Sequence, residues 1–231
     1  MSALILRVET LTTAPARTPS GPVSLLHGID FELRPREQVV LLGAHGSGKT
    51  TLLRSVALLQ RPAAGRVFFE AEELTRLSES RLRGLRRSFQ FTGGHPARTL
   101  WATATVAQTV REPLQIHRLG NAAEQEARVA EVLQLFDLNP WLFNRRIASL
   151  SLALRQRVVL ARALVLKPRL LLTDEVIDHL EPAAAVPLLE CLSDLCRRSD
   201  LTWLWSTSNA ALARRFSDRV LTLEGGRLHD A

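Results

Sequence analysis

The chain has 231 residues, of which 46% are hydrophobic and 23% charged, with a formal net charge of +7. This composition is typical of a soluble globular protein of one domain, or of one domain with a substantial insertion. No stretch approaches the roughly 18 uncharged apolar residues of a membrane span. The N-terminus reaches Arg7 and Glu9 too soon for a secretory signal. We therefore expect the protein to stay in the cytoplasm.

The positive charge fits nucleic acid, an anionic membrane surface or an arginine-rich solvated face. The arginines are spread along the chain, with one denser run at 81–87, and no module of interleaved aromatic and basic residues is present. Without a base-stacking element the sequence disfavours a nucleic-acid partner. Cys191 and Cys196 suit neither a zinc quartet nor a disulfide framework, so we expect two small core residues.

Short apolar runs alternate with helical patterns, which predicts an α/β protein with a largely parallel sheet. The predicted strands are 4–8, 28–33, 38–42, 66–70, 88–91, 169–173, 201–205 and 219–223, with a Thr/Pro/Ser loop at 12–22. The predicted helices are 51–59, 78–87, 105–117 (interrupted or bent at Pro113), 121–136 with an Asn121/Glu124 capping box, 152–167, 182–197 and 209–216.

The segment from 92 to 152 opens with the breaker-rich Thr92-Gly93-Gly94-His95-Pro96 and then carries only helical patterns. We interpret it as a helical subdomain inserted into one sheet domain. The predicted core is then made of residues 1–91 and 153–231.

Residues 43–50, GAHGSGKT, fit the phosphate-binding loop G-x-x-x-x-G-K-[ST] between a strand and a helix. Its glycines let N–H groups turn toward phosphate oxygens, Lys49 offers a compact charge to the β- and γ-phosphates, and Thr50 a hydroxyl to Mg²⁺. The alternative, a glycine-rich turn that binds nothing, is disfavoured by the correct order of its flanks. The candidate nucleotide-binding residues are Gly43, Ala44, His45, Gly46, Ser47, Gly48, Lys49, Thr50 and Thr51.

Asp174 and Glu175 follow a buried-type strand. Hydrolysis of MgATP needs a carboxylate that organises the metal and a group that activates water. Asp174 suits the first role and Glu175 the second, as the acceptor of the water's proton. Alone, this dipeptide fits equally well a strand that ends at the surface. The upstream phosphate loop favours the catalytic interpretation.

With these motifs in place, the chain resembles the ATP-binding cassette (ABC) family along essentially its whole length. The phosphate loop matches the Walker A motif, and residues 170–175 match Walker B. Phe89-Gln90 stands at the Q-loop, residues 150–164 at the signature and the helix after it, and residues 178–181 at the D-loop. Ser208 stands at the position of the family's switch histidine. Segment 106–117 looks most like the nickel and peptide importer ATPases.

The resemblance implies a P-loop NTPase (RecA-like) fold with a mixed-sheet core and an inserted helical subdomain. Two such subunits would sandwich two ATP molecules, with Ser151 of one contacting the ATP of the other. By the resemblance Thr50, Gln90 and Asp174 organise Mg²⁺ and Glu175 is the general base. The helical subdomain would dock on integral membrane permease subunits, which places the chain at the cytoplasmic face of the cell membrane.

The sequence departs from the family at several motif positions. The signature glycines and glutamine fall at Leu152, Ala153 and Leu154, and Ser208 stands in place of the switch histidine. The adenine-stacking aromatic falls near Ala14 or Pro15, Val176-Ile177 replaces Pro-Thr, and Glu181 replaces an Asp. Leu152 brings bulk where a backbone must approach a phosphate, and serine cannot act as an imidazole does.

Two interpretations of these departures stay open: drift in a working ATPase, or weakened catalysis opposite a more complete partner subunit. The functional hypotheses are a transporter ATPase and, as the alternative, a degenerate cassette that binds ATP, hydrolyses little and regulates or scaffolds a complex. A soluble cassette acting on ribosomes or DNA is disfavoured, because no additional nucleic-acid element is present.

Overall fold

The computed structural model describes residues 4–14, 16–18, 21–23, 25–94 and 96–230. Its strands are β1 (Leu6–Thr12), β2 (Ala16–Thr18), β3 (Gly21–Val23), β4 (Ile29–Leu33), β5 (Gln38–Leu42), β6 (Ala64–Phe69), β7 (Glu72–Glu73), β8 (Phe89–Gly93), β9 (Leu170–Asp174), β10 (Thr202–Thr207), β11 (Arg219–Glu224) and β12 (Arg227–Asp230). The helices are α1 (Lys49–Val56), α2 (Glu79–Leu85), α3 (Pro96–Thr99), α4 (Val106–Ile116), α5 (Ala122–Leu135), α6 (Leu152–Leu164), α7 (Pro182–Arg198) and α8 (Ala210–Arg215). Short 3₁₀ helices lie at Leu74–Arg76, Pro140–Leu142 and Ile147–Ser149.

The larger sheet has the strand order β12-β11-β5-β10-β9-β8, and only its edge strand β12 pairs in the antiparallel sense. Every residue of β9 and β10 is buried. Leu171, Trp203 and Trp205 enter one hydrophobic cluster, whereas their neighbours Leu172 and Leu204 enter another. Both faces of these strands are therefore covered, which explains their continuous apolar sequence.

A second, antiparallel sheet has the order β4-β1-β6-β7. All of its strands except the two-residue β7 were predicted from the sequence. The sequence did not predict that these strands form a sheet separate from the parallel one. The short paired strands β2 and β3 fall largely in the segment 12–22 that was predicted as a Thr/Pro/Ser loop, and β12 was also missed. The prediction of a largely parallel sheet thus holds for one of the two principal sheets.

The helical segment packs on the core through α6, which contacts α3, α4 and α5. Buried Val110, Val129 and Leu133 share one cluster with Leu171 and Trp203 of the parallel sheet. The subdomain boundaries at 92 and 152 stay a prediction. No helix in the described ranges is long and apolar enough to cross a membrane.

Local capping signals are realised as the sequence indicates. Asn121 and Glu124 form the predicted capping box, with Asn121 Oδ1 accepting from Glu124 N at 3.0 Å. Pro113 does not interrupt its helix, because α4 runs through it to Ile116. His95, in the predicted breaker segment, lies outside the described residues.

The two cysteines are free. Cys196 is fully buried, as expected of a core residue, whereas Cys191 is half-buried and its Sγ donates to Leu135 O. Burial raises the pKa of Cys191 to about 11 and that of Cys196 to about 12. Both thiols are therefore protonated near neutral pH.

The β-bulge between β1 and β6 leads to a prediction about the free energy of unfolding. Gly65 has φ +95°, and a Cβ there would lie 2.6 Å from Glu9 O and from Leu11 Cα. We expect Gly65→Ala to lower the free energy of unfolding by about 2 kcal/mol or more, measured by urea denaturation. The control is Gly84→Ala in α2, where a Cβ meets nothing within 4 Å. It should be neutral or stabilise by up to about 1 kcal/mol, and an equal loss in both variants would contradict the bulge argument.

Candidate active site

The loop 43–48 links the end of β5 to the first turn of α1. Gly46 and Gly48 have φ values of +79° and +106°, which disfavour any residue with a Cβ. A Cβ on Gly43 would lie 2.6 Å from Ser47 Oγ and 2.8 Å from Leu223 O. The N-cap of α1 is Gly48, which has no side chain to bond the first-turn amides. The first-turn amides of α1 therefore remain available to an anion.

Two side chains of this loop fit a phosphate ligand. Ser47 Oγ is buried without a hydrogen-bond partner among the described residues. Lys49 is only 2% exposed and its Nζ lies 2.8 Å from Gly43 O, 2.9 Å from Ala44 O and 3.0 Å from Glu175 Oε1. An orphan hydroxyl and a buried ammonium beside open helix amides form a suitable environment for phosphate oxygens.

The register of β5, β10 and β9 brings the predicted acidic residues to this loop. Ser206 pairs with Leu41 on one side and with Asp174 on the other. Its Oγ donates to Asp174 Oδ1 at 2.9 Å and accepts from Glu175 N at 2.9 Å. Ser206 was not predicted as a site residue, and its signal in the sequence is its place near the end of a buried strand. Glu175 itself has φ +49°, an uncommon conformation that sharply turns the chain after β9.

Thr50 and Asp174 are brought together as the sequence predicted. Burial raises the pKa of Asp174, hydrogen bonds with Thr50 and Ser206 oppose the rise, and the charge of Glu175 adds to it. A hydroxyl and a carboxylate are oxygen ligands of the kind Mg²⁺ prefers. No group of three or more His, Cys, Asp or Glu side chains in the described ranges suits a metal. A magnesium ion here would therefore also need the nucleotide's own oxygens.

Gln90 is not brought to Asp174. It pairs with Leu171 within β8, and its side chain donates to Arg86 O. Gly93 is the residue that pairs with Asp174, and a Cβ on Gly93 would lie 2.5 Å from Asp174 Cβ. The expected metal contact of Gln90 is therefore absent from this arrangement, because the strand register places Gln90 three positions before the sheet edge.

Ser208 is held by the loop that follows β9. Its N–H and Oγ donate to Asp178 Oδ2 at 3.0 and 3.2 Å, and Thr207 Oγ1 donates to Asp178 Oδ1 at 2.6 Å. Thr207 O in turn accepts from Gly43 N at 3.3 Å. The carboxylate of Asp178 thus ties the expected switch position to the D-loop.

The remaining predicted residues are distributed over several elements. Ser151 is exposed and caps α6, accepting from Leu154 N at 3.3 Å. Thr51 is in the first turn of α1. Ala14 is exposed, and Pro15 lies outside the described residues. His45 extends into solvent beside Glu175, a contact that the motif alone did not indicate.

Residues 26–178 match the ABC transporter family. The chain belongs to the ABC transporter family. It is 33% identical over 212 residues to a putative peptide import ATP-binding protein of Brucella ovis, covering 92% of this chain and 67% of that protein. It is 36% identical to a lipoprotein-releasing system ATP-binding protein of Caulobacter vibrioides, covering 92% and 91%. This protein is therefore an ATP-binding subunit of an ABC transporter and an ATPase of that family.

Solved structures support the fold. A dimeric ATP-binding cassette in a post-hydrolysis state with ADP and Pi has a TM-score of 0.89 at 24% identity, covering 98% of this chain and 97% of that one. CbiO1 of Clostridium perfringens, part of an ABC transporter complex, has a TM-score of 0.85 at 24% identity, covering 98% and 87%. The P-loop NTPase fold of the ABC cassette is thereby confirmed.

Lys49→Ala should abolish nucleotide binding, because it removes the buried charge of the loop. Loss of a charge-assisted hydrogen bond predicts at least about a tenfold loss of ATP affinity, which titration with a fluorescent ATP analogue would measure. The chain offers one matched control, Lys167→Ala, at its only other lysine, which is exposed. Unchanged affinity in Lys49→Ala, or equal loss in both variants, would refute this role of Lys49.

The raised pKa of Asp174 predicts a pH dependence of stability in the protein free of nucleotide and magnesium. The contribution of Asp174 to the free energy of unfolding is fully present below the pKa that Asp174 has in the unfolded state. It is lost as the pH rises through the higher pKa that Asp174 has in the folded state. Asp174→Asn should therefore raise the free energy of unfolding at pH 7, by an amount that shrinks toward lower pH.

Asp200→Asn is the control of opposite sign. The hydrogen bond and charge of Arg36 hold the pKa of Asp200 below its ordinary value. Its contribution is present above the unfolded-state pKa and is lost as pH falls through the folded-state value, so its substitution should give no gain at pH 7. Urea denaturation across this pH range compares the two, and an equal gain in both would contradict the burial argument.

Proposed function

We propose that this subunit binds MgATP at residues 43–51 and hydrolyses it with Glu175 as general base. The observation that carries the proposal is the 3.0 Å contact between Lys49 Nζ and Glu175 Oε1. It puts a phosphate-binding cation and a candidate base in one place. Asp174 and Thr50 lie together beside them.

The loop supplies binding and orientation. Lys49 would contact the β- and γ-phosphates, the amides of 46–51 would surround phosphate oxygens, and Ser47 Oγ would gain its missing partner. Binding exchanges the Lys49–Glu175 pair for a Lys49–phosphate pair. The exchange frees the Glu175 carboxylate for water.

Thr50 and Asp174 would hold Mg²⁺, which when bound neutralises negative charge on the phosphate oxygens. The proposal leaves Gln90 out of the metal site, since its amide is engaged with Arg86 O. The hydrogen bonds of Ser206 and Thr50 to the Asp174 carboxylate would keep the Thr50 and Asp174 oxygens in place for the metal.

In the chemical step Glu175 accepts a proton from water. The water oxygen bonds to the γ-phosphorus, the bond from that phosphorus to the bridging oxygen breaks, and ADP leaves with the electron pair. The accepted proton then passes to solvent. Half-buried Glu175 has a route to water for this return.

The partners we propose are a second ABC ATPase subunit and integral membrane permease subunits. The support is the family, relatives named for peptide import and lipoprotein release, and the fold shared with a dimeric cassette. Ser151, exposed at the start of α6, would face the ATP of the second subunit. A groove of about 290 Å³ between β8 and α4, lined by Gln90, Pro113 and His117, is a candidate permease contact at the cytoplasmic face of the membrane.

The departures favour a functionally asymmetric pair in which this subunit catalyses weakly. Leu152 begins α6 where the signature glycine is expected, and Ser208 is bonded to Asp178. The alternative, a cassette that binds ATP with little hydrolysis, rests on these same positions alone. The complete phosphate loop and the Asp174-Glu175 pair support the ATPase.

Glu175→Gln should lower ATP turnover by about 100-fold or more, because general-base catalysis contributes that much. ATP-dependent dimerisation should persist, since the loop is intact. Turnover is measured on the protein with its partner subunit, and dimerisation by light scattering. The control is Glu190→Gln, an exposed glutamate on α7 paired with Arg215.

Three outcomes separate the possibilities. Loss of turnover only in Glu175→Gln supports the assignment. A substitution that changes neither turnover nor dimerisation shows that Glu175 is not the base. ATP binding without turnover in the unaltered protein would favour the alternative function.

A further inference from the structure

The Glu175 carboxylate faces two side chains of the phosphate loop. Lys49 Nζ lies 3.0 Å from Glu175 Oε1, and His45 Nδ1 lies 3.6 Å from the same oxygen. The two differ in environment, because Lys49 is buried whereas the His45 side chain is 69% exposed. The motif G-x-x-x-x-G-K-[ST] does not require a histidine at this position.

Lys49 cannot remain the partner of Glu175 once a nucleotide binds. An ammonium has three donors, and in this structure they face two loop carbonyls and Glu175. Phosphate oxygens of ATP compete for the donor that now faces the carboxylate. His45 is then the side-chain donor that remains beside Glu175 Oε1 in the described part of the chain.

We propose that His45 is a positioning residue for Glu175, which donates from Nδ1–H to the carboxylate when Lys49 turns to the phosphates. The inference rests on the proposed role of Glu175 as general base. The present 3.6 Å separation is just beyond a direct hydrogen bond. Rotation of the exposed imidazole closes it without moving the backbone.

The surroundings of Ser208 give the proposal its second support. The resemblance to the family places an imidazole at position 208. In this chain the residue there is Ser208, and its hydroxyl is bonded to Asp178. His45 brings an imidazole to Glu175 from the phosphate loop instead. In the part of the chain that the structure describes, an imidazole thus stands beside the proposed catalytic carboxylate, supplied by a different element.

The first test measures kcat, KM for ATP and ATP-analogue affinity in the complex with the partner subunit. His45→Ala should lower kcat by about tenfold, the value of one hydrogen bond to a charged group, and leave KM and affinity within about twofold. His45→Gln, which keeps a donor, should restore part of kcat. Adding Ser208→His to His45→Ala should also restore part of it.

The matched control is His229→Ala, an exposed histidine on the edge strand β12, which should keep every parameter. A second readout needs no turnover: in the nucleotide-free protein the imidazole NMR signals of His45 should shift in Glu175→Gln, and those of His229 should not.

Several results would overturn the proposal. One is an unchanged kcat in His45→Ala. Another is a parallel fall of kcat and ATP affinity in His45→Ala, which would make His45 a phosphate contact. The third is that the His45 imidazole signals do not shift in Glu175→Gln. Failure of the proposed function would give a different result, because Glu175→Gln would then turn over ATP at the rate of the unaltered protein. In that case the proposed role of His45 would also be refuted.

Discussion

The site depends on the buried ammonium of Lys49. A charge at 2% exposure is stable only with close partners, and the loop supplies two carbonyls while Glu175 supplies a carboxylate. The same contacts shape the loop and draw the candidate base toward it before any nucleotide arrives. A phosphate offers oxygens of the same charge sign as the carboxylate, so binding can exchange partners without leaving the ammonium unpaired.

The parallel register carries this interaction into the rest of the fold. Parallel strands end at the same sheet edge, so Leu42, Thr207 and Asp174 all arrive beside the loop. Ser206 and Asp178 then connect their ends through side-chain hydrogen bonds. Phosphate binding, metal binding and water activation are therefore assigned to neighbouring strand ends rather than to separate parts of the molecule.

The positions that differ from the family lie at the start of α6 and in the loops that follow β9 and β10. Leu152 opens α6, which packs on the helical segment, and Ser208 contacts the loop after β9. The proposed nucleotide contacts lie in the loop and at the Asp174-Glu175 pair, whereas the altered signature lies at the start of α6.

The sequence alone determined the features that depend on neighbours along the chain. The phosphate loop, the Asn121/Glu124 capping box and the buried strand before Glu175 follow from local spacing, because backbone geometry and burial impose them. Pairing between distant strands was decided only by the tertiary structure. It placed Gln90 away from Asp174 in the strand register, placed Ser206 beside Asp174 and Glu175, and separated an antiparallel sheet from the parallel one. It also brought His45 to Glu175, since contacts across 130 residues leave no local pattern to read.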